Sequence, residues 1–268
     1  MSQLETKLTE RMPVIFVGHG SPLNAIENNQ WSRGFAKLAA KTRKPKAILA
    51  ISAHWYIEGT FLTGNSSPKT IHDFWGFPDA LYKIEYPAPG SPEIAEKIEE
   101  ILASKKGMLT LDWGLDHGTW SILKWMYPAA DIPVIQLSIN KYLNEEQHLS
   151  IAKSLQALRD QEILILGSGN IVHNLKDAFD QKRAGSEKTP DWAKRFDEAV
   201  THKLENYQTN SLLTLSSTHD GKVAHPTEDH WLPLIYAYGS VEEGESIEFP
   251  IEGFDWGSLS MRTVIFGN

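Results

Sequence analysis

"PVIFVGHGSP", residues 13–22, runs an apolar stretch straight into a histidine held between two glycines. The run is too short for a helix and rich in branched and aromatic side chains. It reads as a strand buried on both faces that ends where the chain turns. A turn needs glycine and proline, but it has no need of an imidazole. What His19 does there depends on whether other histidines share its setting.

The strand pattern recurs in "AILAIS" (47–52), "MLTLDW" (108–113), "IPVIQLSI" (132–139), "EILILGSG" (162–169) and "RTVIFG" (262–267). Amphipathic helical stretches lie between, among them "SPEIAEKIEEILASKKG" (91–107), which opens on Ser-Pro-Glu and ends in glycine. A second is "NEEQHLSIAKSLQALRDQ" (144–161). Strands alternating with helices predict an α/β fold with a mainly parallel central sheet flanked by helices. There is no internal repeat and no Gly/Ser linker, so residues 1–268 are expected to form a single domain. The polar stretch 181–191 is expected to be an exposed loop.

Composition narrows the function. An apolar fraction of 41% supplies a core, and no stretch approaches the roughly 18 apolar residues of a membrane span. The N-terminus lacks the apolar region of a secretion signal, so a cytoplasmic location is expected. There are no cysteines, so any metal must be held by nitrogen and oxygen. A net charge of −8 argues against nucleic acid as a partner. The basic cluster "KTRKPK" (41–46) reads as a solvated loop.

The histidines fall in a pattern. His19 follows the first strand and His54, in "ISAHW", follows the second. One βαβ crossover brings two such positions to the same edge of a sheet, the carboxyl edge where open α/β sheets bind ligands. His173 lies just past another strand, in "ILGSGNIVHNL", where Ser168 or Asn170 is placed to cap the helix expected to carry it. His117 sits in the turn-like "GLDHGTW", and "HPTEDHW" holds His225 and His230 beside Glu228 and Asp229. One histidine in a glycine turn is ordinary. Several delivered to one rim make a metal site, at the carboxyl ends of the strands, suited to catalytic zinc or non-haem iron. His72, His148, His202 and His219 lie in polar or helical contexts and receive no role. The aromatic stretch "IHDFWGFP" (71–78) is a candidate lid.

Taken in order, "GHGSP", "SAHW", "DHGTW", "GSGNIVHNL" and "HPTEDHWLPL" resemble the class III extradiol ring-cleavage dioxygenases, most closely their DOPA 4,5-dioxygenase branch with its bacterial members. The resemblance implies one divalent metal per chain, Fe(II) for activity and Zn(II) as often isolated. It maps His19, His54 and His230 onto the metal ligands. His173 takes the place of the acid/base, near enough to be a fourth ligand when no substrate is bound. His117 takes the place of a second active-site histidine that meets substrate or oxygen, and His225 belongs to the substrate-pocket wall. The partners implied are a catechol, such as DOPA, and O2, both of whose atoms enter the ring-opened semialdehyde. Protocatechuate-type members carry a glutamate as third ligand, where this chain has His230.

Two rival readings stand beside it. The same histidines could serve a zinc-dependent hydrolase, or the chain could be a non-enzymatic metal-binding relative. There is no G-x-G-x-x-G dinucleotide fingerprint and no G-x-S-x-G elbow. The number of subunits is not legible.

Overall fold

The computed structural model describes residues 11–186 and 188–267. In chain order the elements begin β1 (Val14–Gly18), α1 (Gln30–Leu38), β2 (Ala47–Ile57), β3 (Thr60–Thr63), α2 (Asp79–Tyr82), α3 (Pro92–Ile101) and β4 (Gly107–Thr110). They continue α4 (His117–Met126), β5 (Val134–Asn140), α5 (Glu145–Ser154), β6 (Ile163–Gly169), α6 (Leu175–Arg183), α7 (Asp191–Glu205), α8 (Thr209–Leu213) and α9 (His219–Ala224). The chain closes with α10 (Leu232–Gly239), β7 (Ile247–Ile251), β8 (Phe254–Asp255), β9 (Leu259–Ser260) and β10 (Thr263–Phe266).

Eight strands form one sheet in the order β4-β3-β5-β2-β6-β1-β10-β7. Its centre, β5-β2-β6-β1, is parallel throughout, while β3 against β5 and the β1-β10-β7 edge are antiparallel. All six apolar runs read from the sequence are strands, and the fold is the α/β arrangement expected. The four-residue β3, with threonine at both ends, and the half-exposed edge strand β7 were not legible, because neither carries a continuous apolar run.

Alternate residues of the central strands feed two cores. Val14 and Phe16, with Leu49 and Ile51, pack on the side of α5, α7 and α10. Ile15 and Val17, with Ile48 and Ala50, pack on the side of α1 and α4. Burial on both faces explains why these strands carry almost no polar residue before their last positions. Arg159, fully buried, ties the chain ends to this body: its guanidinium donates to the carbonyls of Met12 and Ser240 and to both oxygens of Glu245. No described helix is long and apolar enough to cross a membrane.

Three readings of local structure are revised. The helix expected over 144–161 is α5 followed by a separate 3-10 segment, Gln156–Gln161. His117 is the first residue of α4, whose N-cap is Asp116, rather than part of a free turn. The stretch 181–191 is helical as far as Arg183, and α7 begins at Asp191. The basic cluster is a surface loop as expected, with Lys41 paired to Glu248 and Lys44 to Asp131.

The register of the central strands aims the histidines. β1 pairs with β6 up to Gly18↔Gly169, and β2 pairs with β6 up to Ser52↔Ser168. His19 and His54 therefore stand on either side of β6 at the same level. His54 nonetheless lies within β2, not after it, because β2 runs on beside β5 through an irregular register between Ile51 and Tyr56. Two glycines permit the close approach. A Cβ at Gly169 would stand 2.3 Å from the His230 carbonyl oxygen, and one at Gly118 would stand 2.4 Å from Ser52 Oγ and 2.9 Å from His54 Cδ2.

Gly118→Ala is therefore expected to destabilise the fold by about 1–3 kcal/mol through overpacking, and to push His54 off its position. Thermal unfolding checks the first effect; an unchanged midpoint refutes it. A second expectation concerns acid. Burial lowers the His148 pKa to about 4, below the ordinary value that the unfolded chain retains. Between about pH 6.5 and 4 the unfolded chain takes up a proton that the folded chain refuses, so stability falls as pH falls through that window. At the bottom of the window the loss reaches about 3 kcal/mol. Urea unfolding at neutral and mildly acid pH measures it, and His148→Gln is expected to shrink the difference.

Candidate metal centre

Four imidazoles meet beyond the carboxyl ends of β1, β2 and β6. The ring centres of His19, His54 and His230 form a nearly equilateral triangle: His19 to His54 is 5.0 Å, and His230 stands 5.1 Å from each. His117 flanks it, 3.8 Å from His54 and 5.7 Å from His19. Nitrogens of His19, His54 and His117 can be chosen within 4.8 Å of one another. His173 stacks parallel on His230, ring centres 3.4 Å apart and planes at 4°.

Each ring is oriented from behind through Nδ1. Ser168 Oγ donates to the Gly118 carbonyl at 2.6 Å, so its oxygen accepts the Nδ1 proton of His19 at 2.9 Å. Asp73 Oδ2 accepts from His117 Nδ1 at 2.9 Å and stands 3.2 Å from His54 Nδ1, while Asp73 Oδ1 takes the His117 backbone N–H. Asp229 Oδ2 accepts from His230 Nδ1 at 2.6 Å. With their protons held on Nδ1, His19, His117 and His230 are left with Nε2 as a bare lone pair. His19 Nε2 and His54 Nε2 face each other at 3.1 Å, and His230 Nε2 is buried without a hydrogen-bond partner.

The electrostatics agree. Burial, and then the neighbouring imidazoles, hold the pKa values of His19 and His54 well below the ordinary histidine range. Burial does the same to His173, with His230 adding to it. Burial works against ionisation of Asp73 and Asp229, but the histidine hydrogen bonds and charges outweigh it, and both carboxyls are held low. Asp116 is the exception: burial, then the charge of Asp73, raises it to about 6.

Bare nitrogens directed at one point in a buried rim fit a cation. Metal–nitrogen bonds of about 2.1 Å with tetrahedral angles put the nitrogens about 3.3 Å apart and the ring centres about 5.2 Å apart. The ring centres of His19, His54 and His230 match the second separation, while the nitrogens that come within 4.8 Å of one another belong to His19, His54 and His117. The donor set is all nitrogen, with carboxylates one layer back, an arrangement known to fix ligand rings and raise their basicity. A divalent ion suits it.

His19, His54, His117, His173 and His230 are thus brought together. His225 is set apart: its Nε2 meets the Ile171 carbonyl at 2.7 Å and its ring packs between Phe196 and Trp231, behind His230. Neither Ser168 nor Asn170 caps a helix. Asn174 caps α6, accepting from Asp177 N, so His173 precedes that helix; it forms an isolated bridge with Leu259 instead. Asn170 Nδ2 donates to the Ser260 carbonyl. The stretch 71–78 is held by Asp73 and by Phe74 against His117, while Trp75, 87% exposed, stands out with Gly76 and Pro78. Asp73 is the residue the sequence reading missed, since nothing in its spacing to His54 or His117 marks it. Asp229 had been noticed as a neighbouring carboxylate, and its place is behind His230.

Comparison with known proteins agrees with this arrangement. Residues 14–259 match the family described as the catalytic LigB subunit of aromatic ring-opening dioxygenase. The chain is 43% identical over 263 residues to a 4,5-DOPA dioxygenase extradiol of Escherichia coli (strain K12), covering 96% of this chain and 95% of that one. It is 36% identical over 261 residues to the protein of that name from Beta vulgaris, covering 94% and 95%. A crystal structure of an Escherichia coli K12 protein superposes with a TM-score of 0.83 at 38% identity, covering 95% of this chain and 99% of the other. Fold, histidine rim and sequence agree: the chain belongs to the LigB family of aromatic ring-opening dioxygenases.

Proposed function

We propose that the protein cleaves a catechol such as DOPA beside its diol, 4,5-cleavage in the case of DOPA, inserting both atoms of O2 to give a ring-opened semialdehyde. The observation that carries this reading is the convergence of His19, His54, His117 and His230 at one rim of the sheet, with His19 Nε2 and His54 Nε2 3.1 Å apart. His19, His54 and His230 would hold a divalent ion, Fe(II) for activity and Zn(II) as an alternative occupant. Such an ion supplies a Lewis acid for both hydroxyl oxygens and a route for electrons from ring to oxygen.

The chain's own residues do the rest. Ser168, Asp73 and Asp229 keep the ligand protons on Nδ1, so the inward nitrogens need no deprotonation before binding. His173 is neutral at pH 7 because burial and the stacked His230 disfavour its charge. A neutral imidazole beside the substrate accepts a proton from a catechol hydroxyl and returns it to the opening product. His117, its Nδ1 anchored on Asp73, directs Nε2 toward the same space and meets substrate or oxygen. His225, locked on Ile171, supports the wall behind His230.

Oxygen uptake on adding catechol to anaerobically iron-loaded protein, with a yellow product, is the test. Hydrolysis of an ester or amide with oxygen untouched would overturn the reading in favour of a hydrolase. His54→Ala is expected to abolish metal retention, whereas His173→Ala keeps the metal and loses about 10²–10⁴-fold in kcat. Metal content and turnover, measured on the same samples, separate the two. Asp73→Asn is expected to weaken metal affinity about 10–100-fold by freeing two ligand-layer rings. Competition with a chelator measures it, and an unchanged affinity contradicts the orienting role.

A further inference from the structure

A second polar feature opens beside the histidine rim and is used by none of the steps above. The ribbon β8–β9 pairs Asp255 with Leu259, and Leu259 in turn bridges His173. Residues directly opposed on antiparallel strands project from the same face. Asp255 and His173 therefore face the same side, two strand spacings or about 10 Å apart. A cavity of about 540 Å³ lies here, lined by Trp31, Lys182, Phe254, Asp255 and Trp256 among others.

The lining is two-signed. Lys182 Nζ, from the last turn of α6, stands 3.7 Å from the Trp256 ring centre. The Asp255 carboxyl is pushed up, by burial first and by Glu27 as well, with Lys182 and Trp31 acting the other way. Asp255, whose Oδ1 accepts from the Trp256 backbone N–H at 3.1 Å, thus shares a cavity with the Lys182 ammonium seated over the Trp256 ring. Trp256 adopts φ of +45°, a left-handed conformation that a bulky residue keeps only where its surroundings enforce it.

We propose that this cavity is the subsite for the amino-acid end of a catechol substrate, Asp255 taking its ammonium and Lys182 its carboxylate. The inference rests on the ring-cleavage reading, which places the diol among the histidines. From there a ring and a short side chain carry the charged end across toward β8. The pair would select catechols bearing an α-amino acid over those bearing one charge of either sign.

Anaerobic calorimetry on the zinc-loaded protein tests it with three probes: L-DOPA, dopamine, which lacks the carboxylate, and 3-(3,4-dihydroxyphenyl)propanoate, which lacks the ammonium. Asp255→Asn is expected to weaken dopamine at least about tenfold more than the propanoate, and Lys182→Ala the reverse, with L-DOPA weakened by both. Lys182 is exposed, so its variant reports even where Asp255→Asn disturbs the ribbon. Equal losses for all three probes, no losses, or wild-type protein that binds none of them overturn the subsite. Oxygen uptake is read separately: selective binding without uptake sinks ring cleavage and keeps the subsite, and uptake with unselective losses does the opposite.

Discussion

Two imidazole nitrogens, His19 Nε2 and His54 Nε2, meet 3.1 Å apart, and with the His19 proton held on Nδ1 by Ser168 its Nε2 presents a lone pair there. Protonating either ring is opposed by burial and by the other histidines. Neutral rings assembled in this way offer nitrogen lone pairs that suit a cation. Asp73 and Asp229 hold the Nδ1 protons of His117 and His230, and His173 stacks on His230 beside them.

The same arrangement divides labour between acid groups and imidazoles. A carboxylate inside the triangle would bring negative charge to the metal directly. Here Asp73 and Asp229 act through the rings, and the ligands themselves are neutral. One carboxylate oxygen of Asp73 lies 3.2 Å from His54 Nδ1 and 2.9 Å from His117 Nδ1, so the positions of these two rings are coupled. The donors lie on β-strand ends and a helix start rather than on long loops, which fixes their separations to within the tolerance that coordination needs.

Close packing is what lets these elements converge. The centre of the parallel sheet brings β1 and β2 to either side of β6, and glycines at 118 and 169 remove the Cβ atoms that would hold α4 and the His230 turn away. Ser52 and Ser168 sit where β2 and β6 end their pairing with each other, and both serve the rim. Stability and function are thus segregated along each strand: apolar alternation for two cores, then serine, glycine and histidine at the carboxyl end.

Legibility followed the same division. Apolar runs specify buried parallel strands because both faces must leave water, so six strands and the α/β class could be read directly. Histidines at the ends of those runs were legible for the same reason, since strand direction fixes which edge they reach. Strands β3 and β7 were not, the first being four residues with threonine at both ends and the second a half-exposed edge strand. Asp73, far from any run, became part of the site only through a loop pinned against α4, and Ser168 turned from an expected helix cap into the acceptor for His19. The sequence by itself determined the strands, the rim and the histidines that reach it, because these depend on hydrophobic periodicity and chain direction. Only the tertiary structure decided which nitrogen of each ring faces inward, because that depends on partners brought from 44 and 149 residues away.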